Sequence, residues 1–195
     1  MSVSRSILCA AMTLVIGAAA CGGDPVPPEP ELSEQQAIEL FGAFRDFQGH
    51  VVFARTREPR QRSSTDCLLG GFTQFDRWVD EESAGDTTRV FLHRQTTPFG
   101  CRLRIRDIDY ALFGSPSVNE QTLLETVGST DGLTVSGVVF GALEWAAEGR
   151  SAACPIELTL TMEPDRSDEE NPRIVGDLSG NLCGYVVTIE VSEPL

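Results

Sequence analysis

The chain contains no lysine: all 15 of its basic residues are arginine, in 195 residues that include only 2 histidines, 2 tyrosines and 3 methionines. His50 and His93 lie far apart and in no ligand spacing, so each reads as a strand histidine rather than a metal ligand. There is no Cys-x-x-Cys pair, no phosphate-binding glycine loop and no dinucleotide fingerprint. No Gly-x-Ser-x-Gly elbow occurs either: Ser136 and Ser179 lie in strand-like stretches with different glycine spacing. These absences point away from catalysis and from any cofactor. Basic charge is scarce as well, with 29 acidic residues and a net charge of −14. Phosphate backbones require basic surface, so a nucleic-acid partner is excluded.

No apolar run reaches the roughly 20 residues that a bilayer-spanning helix needs. The longest, Ile7 to Ala20, follows Arg5 and ends in small residues before Cys21. A positive start, a short apolar centre and a small-residue end describe a secretory signal over residues 1–20. Ala18-Ala19-Ala20-Cys21 resembles the lipobox of bacterial lipoproteins. The resemblance covers residues 1–23 and implies cleavage before Cys21, a diacylglyceryl thioether on its sulfur and acylation of the new amine. It further implies membrane attachment through that lipid. Gly22 stands where the family carries Asp for retention in the inner membrane, so outer-membrane placement is implied. Gly22 to Glu31 holds four prolines and no core-forming run, which gives a lipidated, extended tether over residues 21–31.

A single domain over residues 32–195 follows. Its charge is uneven. Residues 21–110 carry 15 acidic residues against 11 arginines, and residues 111–195 carry 14 against 3. One helix is expected from Ser33 to Phe47. Ser33 and Gln36 have capping-box spacing, Leu32 and Ala37 form a hydrophobic staple, and Gly49 marks the stop. Ala37, Leu40, Phe41, Phe44 and Phe47 fall on one face for packing on a sheet.

The rest reads as strands: His50–Arg57, Leu68–Val79, Arg89–Gln95, Cys101–Tyr110, Thr122–Val127, Leu133–Ala147, Ile156–Met162 and Ile174–Val191, with a polar loop at Glu58–Asp66 and a turn at Glu81–Asp86. The fold class is therefore mainly β. We expect an antiparallel sandwich or incomplete barrel with one N-terminal amphipathic α-helix packed on the sheet.

Four cysteines remain after Cys9 leaves with the signal and Cys21 takes the lipid. An even number in an exported chain reads as two disulfides. Hairpin symmetry pairs Cys67 with Cys101 about Ala84, and Cys154 with Cys183 about the Pro164–Pro172 loop. Apolar matching sets Trp145 opposite Ile156 and Val139 opposite Met162, with the connection at Gly149–Ala152. It also sets Met162 opposite Ile174 and Leu158 opposite Leu178. Facing the last two cysteines then requires one extra residue, a β-bulge between Gly180 and Cys183.

Charged candidates are few. Arg102, Arg104 and Arg106 alternate, so all three are expected on one face as a stripe for an acidic ligand or as a solvated face. Asp107 and Asp109 read as ion-paired surface groups, and Asp165, Asp168, Glu169 and Glu170 as a solvated loop. The expected function is non-enzymatic binding or scaffolding of an envelope component at the membrane. The alternative is a carrier of lipid or another apolar ligand. A helix across a curved antiparallel sheet resembles, in architecture alone, the periplasmic lipoprotein carriers.

Overall fold

A computed structural model describes residues 32–47, 60–114, 117–128, 132–167 and 171–194. The signal, Cys21, the tether, Gly49, the His50–Arg57 strand and Asp168–Glu170 lie outside the described residues.

Helix α1 spans Glu34–Phe47. It begins where the capping box requires: the Ser33 amide donates to Gln36 Oε1 at 2.9 Å, and the Gln36 amide donates to Ser33 Oγ at 3.3 Å. Leu32, Ala37, Leu40, Phe41 and Phe44 are all buried, as the apolar stripe predicts.

Among the described residues nine strands follow: β1 (Arg60–Asp66), β2 (Phe72–Ala84), β3 (Thr87–Ile105), β4 (Ile108–Phe113), β5 (Val118–Val127), β6 (Thr134–Ala147), β7 (Arg150–Asp165), β8 (Arg173–Leu182) and β9 (Tyr185–Pro194). All pair antiparallel in one sheet. The strands β3, β4, β6 and β5 pair in a closed ring, because β4 and β5 follow one another along the same sides of β3 and β6. Counting β4 and β5 as one interrupted path, every strand neighbours its predecessor and successor in sequence.

Several expectations shift. The Glu58–Asp66 stretch is strand β1 from Arg60 onward, exposed throughout and bonded to β2. The first long strand begins at Phe72 rather than Leu68 and runs through Glu81 and Glu82 to Ala84. Arg89–Gln95 and Cys101 onward belong to the single 19-residue strand β3. It contains Pro98, tolerated next to a bulge where Gly100, at φ +62°, is the extra residue.

The β6–β7 partners are Trp145 with Ala152 and Val139 with Leu158, around a two-residue turn at Glu148–Gly149. Both turn residues have positive φ, 52° and 76°, as a type I′ hairpin requires. On β7–β8, Met162 faces Gly176 and Leu160 faces Leu178. The β7–β8 pairing runs from Arg173 to Leu182 without an extra residue, so the expected bulge between Gly180 and Cys183 is absent. Cys183–Gly184 is instead a second two-residue turn with positive φ at both positions. Such a turn pairs even-numbered with odd-numbered residues. Leu178 therefore faces Ile189, and the parity switch in the sequence marks a turn rather than a bulge.

Both disulfides form as expected, Cys67–Cys101 and Cys154–Cys183. The geometry behind them differs. Cys67 lies just past β1 and Cys183 in a hairpin turn, so neither pair sits across the middle of a hairpin.

The sheet has an inner face against α1 and an outer face. Pairing places Arg94, Glu120, Val139, Leu158, Gly180 and Val187 in one inner row. Gly137, Gly141, Gly176 and Gly180 all lie on this face. A Cβ on Gly176 would stand 1.8 Å from Thr161 O, and one on Gly180 would stand 2.2 Å from Glu157 O. These glycines let adjacent backbones approach on the concave side, which is how a sheet bends.

Candidate functional surface

The outer face carries an open groove of about 550 Å³ across β2, β3, β5, β6 and β7. Strand register builds it. Trp78, His93, Gln121, Val138 and Thr159 are successive partners in one row, and Asp80, Phe91, Leu123, Ser136 and Thr161 form the next. The Trp78 and His93 rings lie 4.7 Å apart, and the Arg60 guanidinium sits 5.4 Å from the Trp78 ring centre on the edge strand. Phe91 and Val138 are exposed here. The surface combines flat aromatic area with amide and hydroxyl groups, which suits adsorption of a partly polar partner. His93 lies against the Trp78 indole with the two rings tilted by 40°, and His50 lies outside the described residues.

No family model matches this chain, and no curated protein or solved structure is significantly similar to it.

The arginine stripe is divided by the structure. Arg102 is exposed on the outer face. Arg104 makes a two-pronged pair with Asp109, donating Nε to Oδ1 at 2.6 Å and Nη2 to Oδ2 at 2.9 Å. Arg106 leaves the strand. It occupies the two-residue β3–β4 turn at φ +54° and pairs with Glu39 on α1. The turn therefore breaks the expected one-face arrangement and recruits Arg106 to hold the helix. Asp107 lies in the same turn, apart from Asp109 on β4. The Arg104 guanidinium holds the Asp109 carboxyl below its ordinary range. Arg62 does the same for Asp76, donating to it at 2.7 Å, with Gln74 adding a second bond at 3.0 Å. In the acidic loop, Asp165 Oδ1 accepts from the Ser167 amide. Among the described residues, no group of three acidic, histidine or cysteine side chains could hold a metal ion.

Sequence reasoning missed a buried charged cluster on the inner face. Glu120 on β5 is paired with Arg94 on β3 and, at 3.6 Å, with Arg45 in the last turn of α1. Arg94 and Glu120 are both buried. Arg77, the inner-face partner of Arg94 on β2, has its pKa lowered by burial and by the Arg94 charge. Thr122, two residues further along β5 on the same face, buries a hydroxyl with no hydrogen-bond partner among the described residues. The only local signal was the two-residue spacing of Glu120 and Thr122, which puts both on one face of β5. Charged residues on an apolar-poor strand normally read as solvent-facing, which hid it.

Proposed function

We propose that this chain is an envelope-anchored lipoprotein whose disulfide-stapled β domain binds or scaffolds another envelope component without catalysing a reaction. The observation that carries the binding reading is the outer-face groove around Trp78 and His93. The two disulfides support an extracytoplasmic, non-reducing location. The resemblance of Ala18–Cys21 to a lipobox supports attachment through a lipid on Cys21.

The finer architecture belongs to the same reading: the sheet curls as an incomplete barrel around α1. Four inner-face glycines in close backbone approach support this, as do the pairs from α1 to Arg106 and Glu120 and the Tyr185 bond to Leu32 just before the helix. The space between helix and sheet is occupied by Leu40, Phe41 and Phe44 at no more than 1% exposure, which favours a scaffold over a carrier of apolar ligands.

Two measurements test the proposal. Cys21→Ser should move the protein out of the membrane fraction, and retention of the cleaved mutant in membranes removes the anchor. A photo-crosslinker at Val138, used in the native envelope, should give one adduct of defined mass that Trp78→Ala with His93→Ala abolishes. Yields no higher than those from a probe at Glu190 would refute the groove. Native mass spectrometry that finds a retained lipid in the domain would instead select the carrier.

A further inference from the structure

One end of the sheet gathers four turns: Cys67–Gly71, Arg106–Asp107, Glu148–Gly149 and Cys183–Gly184. This end exposes several large apolar side chains. Leu68 is 86% exposed and Leu69 42%. Beside them Phe72, Phe99 and Phe113 are direct partners across β2, β3 and β4 on the outer face, exposed between 41% and 46%. The Phe72 and Phe99 rings stack at 4.9 Å. Isolated exposed apolar residues need no explanation, but a row of three exposed phenylalanines with two exposed leucines on the adjoining turn does.

The loop that presents Leu68 and Leu69 is fixed. Cys67 is tied to Cys101. The Arg102 amide donates to Gly70 O at 2.9 Å, and the Leu69 amide donates to Arg102 O at 3.4 Å. Gly71 lacks the Cβ that would fall 2.0 Å from Gly100 O. The leucines therefore project from a braced turn.

Two observations identify what covers them. The first is where the preceding chain arrives. The Tyr185 hydroxyl donates to Leu32 O at 2.8 Å, and Tyr185 is the first residue after the Cys183–Gly184 turn. Leu32 is thus pinned at the same end of the sheet as Leu68. Ten residues lie between it and Cys21, a reach of at most about 40 Å over eleven steps. The second is charge. At the opposite end, Asp80, Glu81, Glu82 and Asp86 surround the β2–β3 turn and Glu163 and Asp165 end β7, six carboxylates against Arg89, Arg166 and Arg173. At the Leu68 end, Arg102, Arg104, Arg106 and Arg150 balance Asp66, Asp107, Asp109 and Glu148. The acidic end is repelled by an anionic lipid surface and the balanced end is not.

We infer that the Leu68 end of the sheet seats in the lipid surface to which the chain is tethered, with Leu68 and Leu69 inserted and the phenylalanine row at headgroup depth. The inference rests on the lipid-anchor reading and adds the orientation: acidic end outward, groove side-on. Short, braced apolar tips enter the interfacial region of a bilayer without spanning it.

The test uses the full-length chain, reconstituted in phosphatidylethanolamine–phosphatidylglycerol vesicles, with Cys21 lipidation checked by mass. Leu68→Trp should be quenched by shallow nitroxide-labelled lipid at least twofold more than Glu82→Trp at the opposite end, each measured against the parent chain. In the unlipidated Cys21→Ser chain, Leu68→Asp with Leu69→Asp should weaken vesicle partition about tenfold at unchanged melting temperature. Equal quenching at 68 and 82 in a lipidated chain overturns the inference and leaves the anchor standing. Full quenching at 68 in a chain found unmodified at Cys21 supports the tip and removes the anchor. A solution dimer dissociated by Leu68→Asp, without quenching in vesicles, assigns the tip to a second copy and overturns the inference.

Discussion

A single methyl group added at two glycines should change stability in opposite directions. On Gly176 of β8 it would stand 1.8 Å from Thr161 O and 2.7 Å from Met162 Cα, both backbone atoms of β7. Ordinary carbon contacts begin near 3.4 Å, so relief requires the two strands to part by about 1.5 Å. That distance takes at least one inter-strand hydrogen bond out of range, a loss of ~0.5–1.5 kcal/mol. Overpacking strain adds ~1–3 kcal/mol. Against this stands the reduced freedom of the unfolded chain, ~0.4–1 kcal/mol in favour of alanine. Gly176→Ala should therefore destabilise by roughly 2–3 kcal/mol. Gly42, inside α1, has no atom of the described residues beyond its own helix backbone and chain neighbours within 4 Å of the added carbon. There only the helix preference of alanine acts, so Gly42→Ala should stabilise by ~0.5–1 kcal/mol. Urea unfolding of the oxidised protein, followed by circular dichroism, measures both. A Gly176→Ala midpoint within 0.5 kcal/mol of the parent would refute close backbone approach as the cause of the bend.

Three further outcomes are expected. Replacing Cys154 and Cys183 together by Ala, which opens a 29-residue separation, should cost ~3.5 kcal/mol in denaturant unfolding from loop-closure entropy. Glu120→Ala leaves Arg94 buried without its partner and should cost ~3–5 kcal/mol, while Glu120→Leu with Arg94→Met should restore most of it in the same assay. Asp76 has a folded pKa below its unfolded value, so its pairing with Arg62 stabilises fully above the ordinary carboxylate pKa and fades as pH falls through the folded pKa. A carboxyl titration by NMR should show that midpoint rising in Arg62→Gln.

How much of this was legible depended on whether a local signal and a tertiary contact coincided. For α1 they did: Ser33 and Gln36 fixed its start, and its apolar stripe could only face a core. The cysteine pairing was legible because consecutive partners follow from hairpins of any nearby register. The registers themselves were not. A slip by an even number of residues keeps every side chain on its own face, so Met162 opposite Val139, as expected, and opposite Val135, as found, satisfy the same apolar pattern. Only the turn decides between them. The deciding turns put Glu148, Cys183 and Arg106 at positive φ, where asparagine, aspartate or glycine is the usual sign. The outer groove was illegible for a related reason. Trp78, His93 and Val138 come from three strands, and their meeting follows from registers that pattern alone leaves open.

The meander has a consequence for how the protein is made. Each strand finds its neighbour within one connection, so contacts form in the order in which the chain emerges, with little loop entropy to overcome. The disulfides share this order: each joins a cysteine to the next one in the domain, across separations of 34 and 29 residues. An oxidase that links cysteines as they cross a membrane, amino end first, makes Cys67–Cys101 before Cys154 arrives and Cys154–Cys183 afterwards. Under vectorial export that order would yield the native connectivity directly, without reshuffling by a disulfide isomerase.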